Sequence, residues 1–171
     1  MDSNRLAPGD HIAYMRLALS LAEKSPPKPT NFRVGAVLLN ADTNDILSTG
    51  YTLEIPGNTH AEQCCFQKYA FTQSVTETGI ADRLPANTVL YTTMEPCGKR
   101  LSGLLPCVDR ILDLKKGANG GINTVYVGVS EPEKFVGENT GKSRLEEVGI
   151  RYIHVKGLET EILNVATAGH T

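Results

Sequence analysis

Apolar and polar positions along the chain repeat with two periods, one helical and one strand-like. Ile12, Met15, Leu19 and Ala22 recur at helical spacing, with Asp10 placed as an N-cap and Pro26, Pro27 and Pro29 as the stop. Residues 32–40 (FRVGAVLLN) form a compact apolar run that predicts a buried strand. NADTND then supplies a turn, and residues 46–52 the returning strand of a hairpin. A helix is predicted over about 60–72 and a β-branched strand over 87–94. A short helix follows over 106–116, with Pro106 in its first turn and Gly117 beyond its end. Strands are predicted at 123–130 and 149–155, separated by a helix around 138–148, and a last helix spans 158–166. Two strands followed by alternating helix and strand predict a mixed sheet covered on both faces.

Length fits one domain over residues 1–171, with 1–8 and 168–171 as loose ends. The composition, 40% apolar and 21% charged, is that of a soluble globular chain rather than a disordered one. Seventeen basic against nineteen acidic residues leave a net charge of −2, which argues against a nucleic-acid or anionic-membrane surface. The start, MDSNRLAPGD, does not read as an export signal, and the longest apolar run, VGAVLL, is far too short to span a bilayer. A cytoplasmic protein is expected. Cys64, Cys65, Cys97 and Cys107 are then core residues, ligands or nucleophiles rather than a disulfide framework.

The chemistry concentrates in His60-Ala61-Glu62 and in Pro96-Cys97 followed by Cys107. One imidazole and two thiolates suit zinc and leave a fourth position for water. Glu62 can face that water instead of binding the metal. His-x-Glu followed by Pro-Cys-x-x-Cys is the signature of zinc deaminases. A plainer account also fits: Thr59 to Glu62 matches a capping box, with Thr59 at N-cap and Glu62 at N3. Cys64, one turn beyond His60, can approach the metal, but core packing suits both Cys64 and Cys65 better. The spacing departs from the short signature, since nine residues separate Cys97 from Cys107. That insertion carries Lys99, Arg100, Ser102 and Gly103, either as an exposed loop or as a holder of an anionic substrate tail. Arg33 is a second cationic candidate.

PGNTHAEQCC with Lys68-Tyr69, and TTMEPCGKRLSGLLPCVDRIL, resemble the pyrimidine deaminases of the fungal riboflavin pathway. The likeness runs from about Asn31 to Ile111, and the long cysteine spacing with RLSG narrows it to that branch. The resemblance implies a three-layer α/β/α cytidine deaminase-like fold with a five-stranded mixed sheet. It implies Zn²⁺ on His60, Cys97 and Cys107, and Glu62 as proton carrier. The implied substrate is 2,5-diamino-6-ribitylamino-4(3H)-pyrimidinone 5′-phosphate, whose 2-amino group leaves as ammonia. Asn31 and the Ala61 N–H would contact it, in a stand-alone deaminase that forms a homodimer. Two other functions compete: a CMP/dCMP-like or tRNA adenosine deaminase, and a non-catalytic zinc-stabilised binding module. The net charge speaks against tRNA, and the presence of Glu62 speaks against a module that has lost its chemistry.

Overall fold

A computed structural model describes residues 6–98, 100, 103–130 and 141–170. Its centre is one five-stranded sheet of order β2-β1-β3-β4-β5. The strands are β1 (Gly35–Asn40), β2 (Asp45–Tyr51), β3 (Thr88–Met94), β4 (Ile122–Val129) and β5 (Arg151–His154). β1 runs antiparallel to β2 and β3, while β3, β4 and β5 run parallel. The helices are α1 (His11–Ala22), α2 (Ala61–Gln73), α3 (Cys107–Leu114), α4 (Gly141–Glu147) and α5 (Glu159–Ala166). The mixed sheet and its helices bear out the α/β architecture expected from the hydrophobic pattern.

Strand alternation divides the core in two. Ala36, Leu38, Leu90, Val125 and Val127 point to the face covered by α2, α3 and α4. Val37, Leu39, Val89, Tyr91 and Tyr126 point to the face covered by α1 and α5. On that second face Asp10 caps α1, its Oδ1 accepting from the Ala13 N–H at 3.0 Å.

Several boundaries differ from the sequence expectation, for identifiable reasons. β1 starts at Gly35 rather than at residue 32, because the Val34 and Gly35 N–H groups donate to the Thr52 and Thr93 hydroxyls. Ile12 is 38% exposed, and Tyr14, Ala18 and Leu21 join Met15 and Leu19 on the buried stripe instead. Pro106 is the N-cap of α3, not a first-turn residue. A 3₁₀ turn at Thr78–Asp82 fills the stretch between α2 and β3, where no element was expected. The start of the helix expected at 138–148 lies outside the described residues.

Two glycines set how closely helices approach the sheet. A Cβ on Gly35 would stand 1.8 Å from the Ala18 carbonyl oxygen of α1, and one on Gly50 would stand 2.2 Å from the Ala61 carbonyl oxygen of α2. Helix backbone therefore lies directly on strand backbone at both points. The second contact seats the first turn of α2, which carries the chemistry.

Candidate metal centre and active site

α2 begins where the chain leaves β2 and turns back over the sheet. His60 is its N-cap, with extended backbone, and Ala61 is the first helical residue. The capping box is displaced by one from the Thr59/Glu62 pairing that the sequence allowed. Gln63 is the N3 residue, its Oε1 accepting from the His60 N–H at 3.4 Å. The Thr59 hydroxyl donates to the Ile55 carbonyl at 2.7 Å. Glu62 is thus released from capping, and its carboxyl turns inward.

Cys97 follows β3, and Cys107 opens α3. The two segments are tied together, with the Val108 N–H donating to the Cys97 carbonyl at 3.1 Å and the Cys107 N–H to the Cys97 sulfur at 3.3 Å. His60 Nδ1 lies 3.5 Å from the sulfur of Cys97 and 3.5 Å from that of Cys107. The three ligand atoms fall within 4.8 Å of one another. A tetrahedral zinc with metal–sulfur bonds of about 2.3 Å and metal–nitrogen bonds of about 2.0–2.1 Å sets nitrogen and sulfur about 3.6 Å apart. The donors therefore fit zinc in both chemistry and separation. Cys64 and Cys65 stay out of this cluster. Both are fully buried, and the Cys65 thiol donates to the Ala36 carbonyl at 3.4 Å. Burial pushes both thiols up, as suits core cysteines.

The electrostatics favour a metal ligand at Cys97. A hydrogen bond from the Cys107 thiol, outweighing burial and aided by His60, pulls Cys97 down to about 4. Cys107, as the donor of that bond and fully buried, is held up. A dication between them would ionise both thiols. Glu62 is 3% exposed, and burial, with the Cys97 thiolate beside it, raises its carboxyl above the usual range. Its Oε1 sits 2.8 Å from the Thr92 hydroxyl.

The remaining candidates separate clearly. Asn31 Nδ2 donates to Asn58 Oδ1 at 3.1 Å, and Arg100 Nη2 donates to the Asn58 carbonyl at 2.5 Å. Arg100 Nη1 also reaches Gln63 Oε1 at 3.2 Å. Asn58 thus links Asn31 and Arg100, and Gln63 ties Arg100 to the first turn of α2. Asn58 and Gln63 were not foreseen, although both lie within two residues of the His-x-Glu motif. Arg100 is 7% exposed, its Nε is buried without a partner, and among the described residues no carboxylate pairs with it. Arg33 does not join this group. Its guanidinium donates to the Ser25 and Glu23 carbonyls at 2.7 and 2.5 Å, at the end of α1. Ala61 is buried as the first residue of α2, so its N–H has no partner within the helix. Lys99 and Ser102 lie outside the described residues.

Residues 8–120 match the family model for the cytidine and deoxycytidylate deaminase zinc-binding region. The chain belongs to that family. Its centre is accordingly a zinc site, and the His60, Cys97 and Cys107 cluster fits Zn²⁺. The chain is 37% identical over 165 residues to a diaminohydroxyphosphoribosylamino-pyrimidine deaminase of Schizosaccharomyces pombe. That match covers 96% of this chain but 37% of the relative, so the chain spans well under half of that protein's length. A crystal structure of the Aspergillus oryzae Rib2 deaminase superposes with a TM-score of 0.85 at 51% identity, covering 94% of this chain and 92% of that one. The same deaminase in complex with DARIPP superposes with a TM-score of 0.85 at 50% identity, covering 96% and 92%.

Proposed function

We propose that the chain is a zinc-dependent hydrolytic deaminase of riboflavin biosynthesis. It converts 2,5-diamino-6-ribitylamino-4(3H)-pyrimidinone 5′-phosphate to 5-amino-6-ribitylamino-2,4-pyrimidinedione 5′-phosphate and releases ammonia. The observation that carries this reading is the buried Glu62 carboxyl beside the His60, Cys97 and Cys107 cluster, in a chain half identical to a Rib2 deaminase.

His60, Cys97 and Cys107 hold the metal. When bound there, zinc makes hydroxide available near neutral pH. Glu62 accepts the proton of the attacking water and delivers it to a ring nitrogen as C2 becomes tetrahedral. Glu62, again a carboxylate, then takes the proton of the hydroxyl now on C2 and passes it to the amino group, which leaves as ammonia as C2 becomes a carbonyl, so one carboxyl acts as base and then as acid in both transfers. Its raised proton affinity suits a group that must both take and give a proton. The Ala61 N–H donates to the ring carbonyl, and Asn31 to the ring and ribityl chain.

Arg100 holds the phosphate. Its guanidinium is buried and braced by Asn58 and Gln63, and its Nε still lacks a partner among the described residues. A buried cation without a carboxylate needs an anion. The phosphate supplies one in a geometry that guanidinium favours. Lys99 and Ser102 of the same insertion, outside the described residues, are further phosphate-ligand candidates by type.

The reading includes a homodimer in the cytoplasm. Sedimentation equilibrium decides the oligomeric state. Among the described residues no helix is long and apolar enough to cross a membrane.

Ammonia release tests the substrate. The ribityl-aminopyrimidine phosphate should turn over, and CMP, cytidine and tRNA should not. Faster turnover of CMP would overturn the assignment. Arg100→Ala should raise KM for the phosphorylated substrate about ten- to a hundredfold more than for its dephosphorylated analogue, the value of one charged hydrogen bond. Equal effects on both would move the phosphate elsewhere.

A further inference from the structure

β3 is the middle strand of the sheet, paired on both sides, with Thr92 opposite Ala36 of β1 and Val127 of β4. Its backbone has no freedom to shift. Neighbouring threonine hydroxyls on this strand have structural duties. The Thr88 hydroxyl donates to the Pro85 carbonyl at 2.7 Å, and Thr93 Oγ1 accepts from the Gly35 N–H at 3.1 Å. Thr92 is different. It is fully buried on the apolar face beneath α2, and its Oγ1 lies 2.8 Å from the Met94 carbonyl and 2.8 Å from Glu62 Oε1. The Met94 carbonyl alone would satisfy the hydroxyl, so the contact with Glu62 is additional.

We propose that Thr92 is a positioning residue for the deamination, holding Glu62 by Oε1 so that the other carboxyl oxygen faces the reacting atoms. The inference rests on the assignment of Glu62 as proton carrier. A hydroxyl suits the task because it has one proton and two lone pairs. Facing a carboxylate, it donates to Oε1. When the other oxygen takes a proton, Oε1 becomes the carbonyl oxygen of the acid and still accepts from the same hydroxyl. The anchor is therefore the same on both sides of the proton transfer, and Oε1 never lacks a partner. Valine has nearly the same shape and β-propensity but no proton to donate.

The test compares Thr92→Val with Thr92→Ser in the zinc-loaded protein. Thr92→Val should lower kcat about ten- to a hundredfold, the value of one hydrogen bond to a charged group. KM should stay within about twofold, and zinc content at one per chain. Thr92→Ser, which keeps the hydroxyl, should recover most of kcat. Normal kcat in Thr92→Val, or equal losses in both variants, would overturn the proposal. If Thr92→Val does not fold, Thr92→Ser against Thr92→Ala reads the same hydroxyl, and equal kcat values would overturn it. Adding Thr92→Val to Glu62→Gln should cost nothing further, because the threonine acts only through the glutamate. Failure of the underlying assignment looks different: Glu62→Gln itself would then turn over normally.

Discussion

The two faces of one sheet bury polar groups in opposite ways. Beneath α1, the rings of Tyr14, Tyr91, Tyr126 and His11 form a stack. Tyr91 and Tyr126 lie 4.5 Å apart, Tyr14 and Tyr91 5.0 Å, and His11 and Tyr126 4.4 Å. Two of its polar tips are paired, the Tyr91 hydroxyl with His11 Nδ1 at 2.7 Å and the Tyr14 hydroxyl with Asn44 Oδ1. Beneath α2, the buried set is Glu62, Gln63, Thr92 and Arg100, with His60 at its margin. There a carboxyl resists ionising and, among the described residues, a guanidinium nitrogen lacks a partner. A stack with two paired tips serves stability, whereas polar groups left wanting a partner mark where a ligand and a reaction belong.

The strongest way to break that contrast is Glu62→Gln. Turnover should fall at least about a hundredfold, the lower bound for a lost proton relay, because this carboxyl acts twice. Zinc content and thermal stability should hold, since Gln63 and not Glu62 closes the capping box. Near-normal ammonia release would return Glu62 to a packing role.

Stripping the metal sharpens the contrast further. With its proton affinity lowered to about 4, Cys97 should remain a thiolate in metal-free protein at neutral pH and lose that charge only as pH falls through about 4. Cys64, Cys65 and Cys107 are all pushed up and should contribute none. Ultraviolet thiolate absorbance should therefore report one ionised cysteine per chain at pH 6. Absence of that signal would remove the electrostatic argument for Cys97.

The glycines set the faces against each other. Gly35→Ala and Gly50→Ala each force a methyl into helix backbone and should each cost at least about 1–3 kcal/mol. For a chain of this size that lowers Tm by about 2–4 °C per kcal/mol. Only Gly50→Ala should also loosen zinc, because it lifts the first turn of α2. If both variants keep full zinc, the seating of that turn matters less than the close contact indicates. The smallest effect belongs to the aromatic stack. Tyr91→Phe removes one hydroxyl and should cost about 1 kcal/mol in denaturant unfolding with kcat unchanged. A drop in kcat would mean that the two faces are coupled through β3.

Much of this arrangement was legible in residues that follow local rules. The helix cap at Asp10, the hairpin turn after Asn40 and the β-branched run at Thr88–Met94 announce their elements. The metal ligands were legible for a different reason, since few tasks need a histidine and two cysteines in that order. What stayed hidden depends on tertiary contact. Arg33 looked like a phosphate ligand because its charge is visible, but its engagement with the end of α1 is not. Asn58 and Gln63 carry no charge, and only the fold brings them against Arg100. The displaced capping box was hidden because Glu62 and Gln63 are equally good N3 residues by type. The geometry of the metal cluster decides which of them turns inward.

The metal ligands also have a consequence for how the chain matures. His60 lies 37 positions from Cys97 and 47 from Cys107. They meet only when β3 is threaded beside β1 and α3 has formed after it. Such long-range pairing forms late in folding, and no short segment of the chain can hold zinc alone. Metal capture therefore reports near-complete assembly, and a chain emerging from the ribosome stays empty until Cys107 and α3 are out. Once captured, the ion ties the start of α2 to the end of β3 and the start of α3, so zinc binding adds to the stability of the folded chain as well as serving its chemistry.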